Sequence, residues 1–345
     1  MAYTTINKST EHFDTRTYSA SGAGSISDVS FQPDFLWFKN RTIAGDHGLM
    51  DAVRGVNKIL HSNDGNGEVT SNGTTNITAF TSNGFTYGAS SLIDTGAGTP
   101  CTWLWKANGA GSANTDGTVN STVSVNSTSG FSIVSWTHNG SANYTVGHGL
   151  GTTPKMILAK TTSSSANWDI YHANITSGNR LILNSTGGQV SGYWGANTVN
   201  NNTFSVGSAL ASNGTTMIAY CFADVQGYSK FGRFTANGST DNAFVYTGFK
   251  PAFVMMKCDN VTDGWSKWYM FDTARSPENM NVKELEANTT AVESSSGADY
   301  AQIDMLSNGF KLRNGSAWGP ASSGNTSVYM AFAEAPLVGS NNVPC

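Results

Sequence analysis

Residues 229–257 read SKFGRFTANGSTDNAFVYTGFKPAFVMMK, and this stretch predicts three short strands joined by tight turns. The first apolar run ends at Asn237-Gly238-Ser239, where Asn and Gly tolerate the positive φ that a tight hairpin needs. A second run covers residues 243–246, and a third covers residues 252–257 and ends at Lys257. No part of the stretch has helical period, so it predicts antiparallel β-structure.

The same pattern occurs twice more, earlier in the chain. Residues 131–160 contain an apolar run, an Asn-Gly-Ser turn and a strand that ends at Lys160, and residues 13–39 repeat this more loosely and end at Lys39. Trp168 and Trp268 lie 268 − 168 = 100 residues apart. A period near 100 residues is too long for a solenoid and matches a small domain. The sequence therefore predicts three tandem units.

We predict an all-β protein of three antiparallel β-sandwich-like units, of jelly-roll or lectin-like type, each of about 100 residues. The closing strands at residues 216–223 and 328–334 are apolar on both faces, so we expect them in the centre of their sheets. The predicted divisions are an N-terminal arm at 1–12, unit 1 at 13–108, a polar linker or edge strand at 109–128, unit 2 at 129–228 and unit 3 at 229–345.

One short helix is predicted in unit 1, at residues 45–60. Asp46 could cap this helix, and Leu49, Val53 and Val56 would lie on one of its faces.

The composition excludes some classes of function. Charged residues make up 12% of the chain, about half of the usual share in soluble proteins. With a net charge of −4 and no run of basic residues, we predict no binding to nucleic acid. Because the first residues contain no apolar run, we expect no signal peptide, and no apolar stretch reaches the roughly 18 residues of a membrane helix. The four cysteines show no C-x-x-C spacing, which predicts free thiols in a chain made in a reducing bacterial cytoplasm.

No residues with catalytic or metal-binding spacing stand out, so we predict no enzyme activity, cofactor or metal. The histidines lack the spacing of metal ligands, and residues 64–68 resemble part of a calcium loop without its full spacing. A pair of carboxylates for glycoside hydrolysis stays open, because only their separation in space would reveal it. The repeated D-x-x-R pattern, at Asp51 with Arg54 and at Asp272 with Arg275, predicts structural ion pairs.

The candidate binding residues are Tyr193, Trp194 and Trp318. They lie in glycine-rich loops, where a large ring has no obvious core to fill. Exposed aromatic rings on such loops can stack on sugars or anchor a protein partner. The alternative is that the rings fold back over their own domain or form a subunit contact.

Several of these segments resemble a known family. Residues 231–257, LSNGFKLR at 306–313 and VYMAFAEAP at 328–336 are similar to a domain that recurs in bacteriophage tail-fibre-like virion proteins, many of them from marine and cyanobacterial phages. Residues 129–160 and 218–232 resemble the unit that precedes it in those proteins. The resemblance implies a structural or adhesive virion component, and it transfers no catalytic residues.

Together these observations predict a virion protein, in the form of a tail fibre or related appendage subunit that binds a glycan or protein of the host surface without catalysis. We expect contacts with other virion proteins and a homo-oligomer, with a trimer favoured. Two alternatives stay open. One is a capsid decoration or purely structural subunit, and the other is a surface-polysaccharide depolymerase with two carboxylates roughly 5–10 Å apart.

Overall fold

The structure, a computed structural model, describes residues 3–89, 98–192, 194, 199–294, 301–315 and 318–339. Within these residues the chain consists of strands and connecting loops, and its helical elements are two 3₁₀ turns, Ser9–Glu11 and Gly319–Ala321. The predicted all-β, sandwich-like fold class is confirmed. None of the described helical elements is long and apolar enough to cross a membrane.

The strands are numbered in chain order. The first part of the chain contains β1 (Phe13–Thr17), β2 (Gly24–Ile26), β3 (Phe35–Asn40), β4 (Gly48–Asp51), β5 (Lys58–Ile59), β6 (Val69–Thr70), β7 (Asn76–Thr81), β8 (Gly84–Gly88) and β9 (Pro100–Trp105). The middle part contains β10 (Ser112–Asn114), β11 (Ser121–Asn126), β12 (Phe131–Thr137), β13 (Tyr144–Gly147), β14 (Met156–Thr161), β15 (Asp169–His172), β16 (Asn179–Ile182), β17 (Val190–Ser191), β18 (Thr203–Val206) and β19 (Thr216–Phe222). The last part contains β20 (Ser229–Thr235), β21 (Phe244–Tyr246), β22 (Phe249–Cys258), β23 (Trp268–Asp272), β24 (Leu285–Glu286), β25 (Ile303–Leu306), β26 (Gly309–Leu312) and β27 (Thr326–Pro336).

Three larger antiparallel sheets repeat one strand order. The orders are β1-β9-β3-β4 in unit 1, β12-β19-β14-β15-β16 in unit 2 and β20-β27-β22-β23-β24 in unit 3. Each closing strand lies between the first and the third strand, as its two apolar faces predict. Residues 109–128 form β10 and β11, which extend the sheet of unit 2 at its edge. The other boundaries stay predictions of the sequence.

The registers of the three sheets also match. In each sheet, the third strand carries a lysine, and the residue two positions before that lysine pairs with a large residue of the closing strand. The lysines are Lys39, Lys160 and Lys257, and the preceding pairs are Trp37 with Trp103, Leu158 with Tyr220, and Met255 with Met330. Residues of the three units can therefore be compared position by position.

Both faces of each larger sheet are buried. The inner faces meet in one core that contains residues of all three units, among them Trp103, Tyr220 and Met330. The outer faces are covered by the small sheets β2-β8-β7, β13-β18 and β21-β26-β25, which gives each unit a core of its own. Each unit is thus a two-layer sandwich whose larger sheet packs against the other two units. Because burial of apolar surface drives folding, the shared core couples their stabilities.

Equivalent hydrogen bonds join the units in a closed ring. The backbone contacts are Glu68 N to Thr162 O at 2.7 Å, Gln189 N to Asp259 O at 2.8 Å and Glu293 N to Arg41 O at 2.8 Å. The ring nitrogens add Trp168 Nε1 to His61 O at 2.7 Å, Trp268 Nε1 to Ile182 O at 2.9 Å and His47 Nε2 to Glu286 O at 3.0 Å. The backbone set donates from unit 1 to unit 2, from unit 2 to unit 3 and from unit 3 to unit 1, and the ring nitrogens donate in the opposite direction at the same three junctions.

A buried lysine lies at each of these three junctions. Its Nζ donates to a carbonyl of the neighbouring unit, as in Lys39 to Thr290 at 3.5 Å, Lys160 to Gly65 at 3.1 Å and Lys257 to Thr186 at 2.9 Å. Burial lowers the pKa of each of these lysines to about 8. The lysines that ended the repeated apolar runs in the sequence are therefore contacts between units.

The predicted helix at residues 45–60 is wrong. This segment forms β4, a turn and β5 instead. Leu49 points into the shared core and Met50 into the core of unit 1, which is the alternation of a strand. After β4, the Asp51 carboxylate accepts the backbone N–H groups of Val53 and Arg54, and this local bonding favours a turn over a helix.

The two D-x-x-R pairs are buried ion pairs, as predicted. Arg54 Nε and Arg275 Nε each donate to the preceding aspartate, Asp51 or Asp272, at 2.6 Å. Each aspartate also joins two units, because Asp51 accepts Tyr220 Oη at 2.8 Å and Asp272 accepts Trp103 Nε1 at 3.0 Å.

Three of the four cysteines lie in described residues. Cys101, Cys221 and Cys258 are buried free thiols, as the sequence predicted. Cys345 lies outside the described residues.

Candidate binding site

The aromatic residues that the sequence singled out do not form an exposed site. The side chains of Trp194 and Trp318 are each 1% exposed, and Tyr193 lies outside the described residues. The Trp194 ring packs at 5.9 Å from Tyr171 and at 6.1 Å from Phe204, in the core of unit 2. The Trp318 ring packs at 5.0 Å from Tyr269 in the core of unit 3. The expectation that these two rings are free to stack on a ligand is wrong.

Trp318 is buried because its loop packs closely on the sheet of unit 3. A Cβ atom at Gly319 would lie 2.6 Å from Ser266 Oγ and 3.0 Å from Trp265 O. The glycine therefore allows a close approach of the loop, which turns the neighbouring tryptophan inward. Glycine in this loop therefore indicates tight packing, and not the exposure of the Trp318 ring that the sequence predicted.

The large exposed rings of the described residues lie elsewhere in unit 3. Tyr246 is 56% exposed, Phe244 is 47% exposed and Trp265 is 52% exposed. Phe244 and Tyr246 belong to β21, an edge strand of the outer sheet. Val245 between them is buried in the core of unit 3, so strand alternation turns the two rings outward. The sequence predicted one apolar run at residues 243–246, and this prediction did not include the alternation.

Tyr246 borders a cleft of about 520 Å³. The cleft lies where the connection between units 2 and 3 meets the start of β22, and the N-terminal arm closes one of its sides. Its walls carry aromatic, acidic, basic and amide side chains, namely those of Tyr3, Asp224, Gln226, Ser229, Lys230 and Tyr246.

The N-terminal arm supplies Tyr3 to this cleft. Tyr3 Oη donates to Gly248 O at 2.8 Å, and a Cβ atom at Gly248 would lie 2.9 Å from that hydroxyl. Gly248 also has a φ of +84°, which favours glycine. Burial and the neighbouring Tyr246 hydroxyl raise the pKa of Tyr3. The arm thus docks on unit 3 of its own chain and places two tyrosine hydroxyls side by side.

The charged groups of the cleft are held by the turn at residues 223–229. Lys230 Nζ contacts Asp224 Oδ2 at 3.1 Å, and Phe231 N donates to Asp224 Oδ1 at 2.8 Å. Ser229 Oγ donates to Ala223 O at 2.9 Å and ties the two ends of the turn together. Both members of the ion pair remain partly exposed, so they are accessible to a ligand from the cleft.

This arrangement is suited to binding polar molecules that have an apolar face. The rings offer stacking surface, while the carboxylate, ammonium, amide and hydroxyl groups offer both donors and acceptors. Asp224 is the single carboxylate among the described lining residues of the cleft. A pair of carboxylates, as glycoside hydrolysis requires, is therefore not found among these lining residues.

A second cluster could hold a cation. One ligand atom each of Asp46, His61 and Asp64 lies within 4.8 Å of the others, at the junction of units 1 and 2. Asp64 belongs to residues 64–68, which resemble part of a calcium loop without its full spacing. The aspartates already accept hydrogen bonds from Asn63 Nδ2 and Asn66 Nδ2, and His61 Nδ1 lies 3.3 Å from Asp64 Oδ2. Because these side chains already contact one another and the two asparagines, we assign no metal to the cluster.

Comparison with known proteins shows the family of the chain. A family model described as a domain of unknown function, DUF7483, matches residues 8–336. The chain belongs to this family. The match extends across all three units, which agrees with the core that they share. No curated protein and no solved structure matches the chain.

Proposed function

We propose that the chain is a subunit of a bacteriophage tail fibre or related appendage, and that it binds a host surface glycan through the cleft beside Tyr246. The observation that carries the binding proposal is the exposed Tyr246 ring, which lines the same cleft as the Asp224–Lys230 pair. A ring face that packs on a sugar, with charged groups that bond its hydroxyls, is a common means of recognising glycans. The resemblance of residues 129–336 to tail-fibre-like proteins supports the placement in a virion.

The proposal assigns no catalytic step to this cleft, because its described lining contains one carboxylate. Binding at this surface requires neither a metal nor a cofactor. The low share of charged residues further predicts a binding constant that changes little with salt. We retain the trimer as a proposal for the assembled appendage.

Adsorption of the purified, fluorescently labelled protein to host cells tests the binding proposal. We expect Tyr246→Ala to weaken cell binding about tenfold or more, since loss of an aromatic contact at a binding site commonly costs over 1.4 kcal/mol. Trp265→Ala is the matched control, because Trp265 is about equally exposed and lies outside the cleft lining. Equal binding by wild type and Tyr246→Ala would exclude this cleft as the receptor site.

Immunogold labelling of intact particles tests the placement. Gold at the tail fibres or tail tip would support an appendage subunit. Gold distributed over the head would instead identify a capsid decoration protein and would contradict the proposal.

A further inference from the structure

Equivalent grooves run along the three junctions between units, and corresponding residues border them. One border is the residue that lies two positions after the buried lysine. Its backbone N–H donates to a carbonyl at the start of the closing strand. These contacts are Thr162 to Thr216 at 2.9 Å, Asp259 to Thr326 at 2.9 Å and Arg41 to Thr99 at 3.2 Å. The other border is a residue of the first strand, which pairs with the same closing-strand residue as the lysine does. In the three units this residue is Ser135, Arg233 and Thr17.

An arginine occupies the groove between units 2 and 3. Arg233 Nη2 lies 2.8 Å from Asp259 Oδ2 and also donates to Thr326 Oγ1 at 2.8 Å. Gln189 of unit 2 also donates to the Asp259 carboxylate. The guanidinium therefore lies across the groove and links its borders.

An arginine also occupies the groove between units 3 and 1, although it comes from the other border. Arg41 donates two hydrogen bonds to Glu293, at 2.8 and 2.7 Å. Glu293 is the equivalent of Gln189 and is also bonded by Arg275 Nη1 at 3.1 Å. Here the guanidinium and the carboxylate link unit 1 to unit 3.

The groove between units 1 and 2 has an arginine on neither border. Ser135 stands at the position of Arg233, and Thr162 stands at the positions of Asp259 and Arg41. This replacement leaves a cavity of about 680 Å³, within the range of about 300–1,000 Å³ that is usual for small-molecule sites. The cavity thus exists because two long side chains of the other junctions are replaced by short ones.

The charged groups at the base of this cavity are already paired. Arg54 contacts Asp51 and Glu68, at 2.6 and 3.1 Å, and Lys58 contacts Glu68 at 3.1 Å. Two positive charges therefore face two negative charges, and a charged ligand would have to compete with an existing ion pair. The charge balance favours a neutral ligand.

Hydroxyl groups remain available on the walls. The side-chain hydroxyls of Ser135 and Ser165 have no hydrogen-bond partner among the described residues, and both residues line the cavity. Ser163 Oγ accepts the backbone N–H of Thr216 at 3.2 Å, which leaves its own hydrogen for a ligand. Because a hydroxyl both donates and accepts, these walls match a ligand that is itself rich in hydroxyls.

We propose that the cavity between units 1 and 2, which we call the open groove, binds a neutral polyhydroxylated ligand, namely one or two sugar residues of a glycan. Ser135, Ser163 and Ser165 bond the hydroxyls of the ligand, and the Arg54–Glu68–Lys58 network forms the polar base. The site lacks an aromatic platform among its described lining residues and lies apart from the Tyr246 cleft, so it does not depend on the virion assignment.

The other junctions show how to close this groove. The double variant Ser135→Arg/Thr162→Asp places an arginine and an aspartate at the positions where Arg233 and Asp259 form an ion pair. The single variant Ser135→Arg only extends a side chain into open space, which keeps the test valid if the double variant does not fold. Saturation-transfer NMR of the full chain with D-glucose, D-galactose, D-mannose and N-acetyl-D-glucosamine measures binding, with inorganic phosphate as the anionic competitor.

We expect wild type to bind at least one of these sugars with a Kd of about 1 mM, and Ser135→Arg to weaken that binding about tenfold. Trp265→Ala, at an exposed residue that lines neither cavity, should retain the binding that is lost in Ser135→Arg. Three results would overturn the proposal: no binding of any of the four sugars, displacement of the sugar by phosphate, or equal binding by Ser135→Arg and wild type. Binding that is lost only in Tyr246→Ala would place the sugar in the Tyr246 cleft, which would overturn the open groove and leave the proposed function intact.

Discussion

The junctions around the shared core and the outer surfaces of the three units differ in how strictly they repeat. At the junctions, lysines, carbonyls and backbone amides occupy the same positions three times. On the outside, the covering sheet of unit 2 has two strands and those of units 1 and 3 have three, and the exposed Tyr246 lies in unit 3. The repeated contacts hold the units together, and both candidate binding sites are formed by residues that differ between units.

This difference has a physical cause. A contact at a junction is constrained by two units at once, because the donor of one must meet the carbonyl of the next. A residue of an outer strand or of a groove border faces solvent on one side. A change from arginine to serine at such a residue therefore leaves the hydrogen bonds between the units in place. Binding surfaces can therefore diverge from unit to unit while the junctions keep one pattern.

The largest expected effect comes from breaking a junction. Asp272→Ala removes the partner of Arg275, whose side chain is fully buried, and also the acceptor of Trp103 Nε1. We expect a loss of about 3–5 kcal/mol in the free energy of unfolding, because the buried Arg275 guanidinium keeps only Glu293 as a carboxylate partner and Trp103 Nε1 loses its acceptor. Urea denaturation measures this loss.

The matched variant is Asp51→Ala, which removes the equivalent partner of Arg54 and of Tyr220 Oη. If the junctions are equivalent in energy as they are in geometry, the two losses agree within about 1 kcal/mol. A loss of under about 1 kcal/mol in both variants would mean that these buried pairs do not hold the units together.

The next effect concerns a buried position at which the three units carry different residues. Glu284, Arg180 and Ile59 each lie four residues before an equivalent asparagine of their unit. Arg180 pairs with Asp169, whereas Glu284 is buried with its Oε2 atom unbonded by any described residue. Burial, together with the carboxylate of Glu286, raises the pKa of Glu284 to about 7.

A raised carboxyl pKa means that the folded chain binds the proton more tightly than the unfolded chain. The stability contributed by Glu284 is thus fully present below about pH 4.5 and is lost as the pH rises to about 7. We expect Glu284→Gln to raise the unfolding free energy at pH 8 by about 3 kcal/mol and to change it little at pH 4. Urea titrations at the two pH values measure the difference, and equal effects at both would contradict the raised pKa.

The sequence predicted the parts of the fold that depend on local pattern. Strand alternation and the Asn-Gly turns located most of the strands, and the lysines that end the third strands marked the repeat. The sharing of one core was not predictable from these strands, because β9, β19 and β27 are apolar on both faces. Alternation alone does not say which face meets a neighbouring unit.

The errors in the sequence analysis also have physical reasons. Residues 45–60 have apolar spacing that fits a helix, but the Asp51 side chain bonds the following amides and ends a strand there. Trp318 lies beside glycines that allow close packing, so the loop buries the ring. The open groove was not predictable, because it arises from small residues at positions that only the comparison of three packed junctions makes equivalent.

A third prediction concerns the groove between units 2 and 3, which Arg233 occupies. Arg233→Ser removes the charged partner of Asp259, whose side chain is fully buried, and leaves Gln189 as its remaining side-chain donor among those described above. We expect a loss of about 1–3 kcal/mol in unfolding free energy. A crystal structure of the variant should show a cavity between units 2 and 3 like the one between units 1 and 2. Collapse of the junction instead would show that short border residues are not sufficient to keep a groove open.

The smallest expected effect concerns the buried lysines. Because burial lowers the pKa of Lys257 to about 8, its charged form is disfavoured in the folded chain, and this cost is removed as the pH rises from about 8 towards 10.5. We expect this lysine to raise the unfolding free energy by about 1 kcal/mol between pH 8 and pH 9. Urea denaturation should therefore show that the unfolding free energy of Lys257→Met rises by about 1 kcal/mol less than that of wild type between pH 8 and pH 9. Lys58→Met, at a partly exposed lysine, is the control. If Lys257→Met and Lys58→Met have the same pH dependence, then Lys257 remains charged at its junction, and its hydrogen bonds to carbonyls outweigh the cost of its burial.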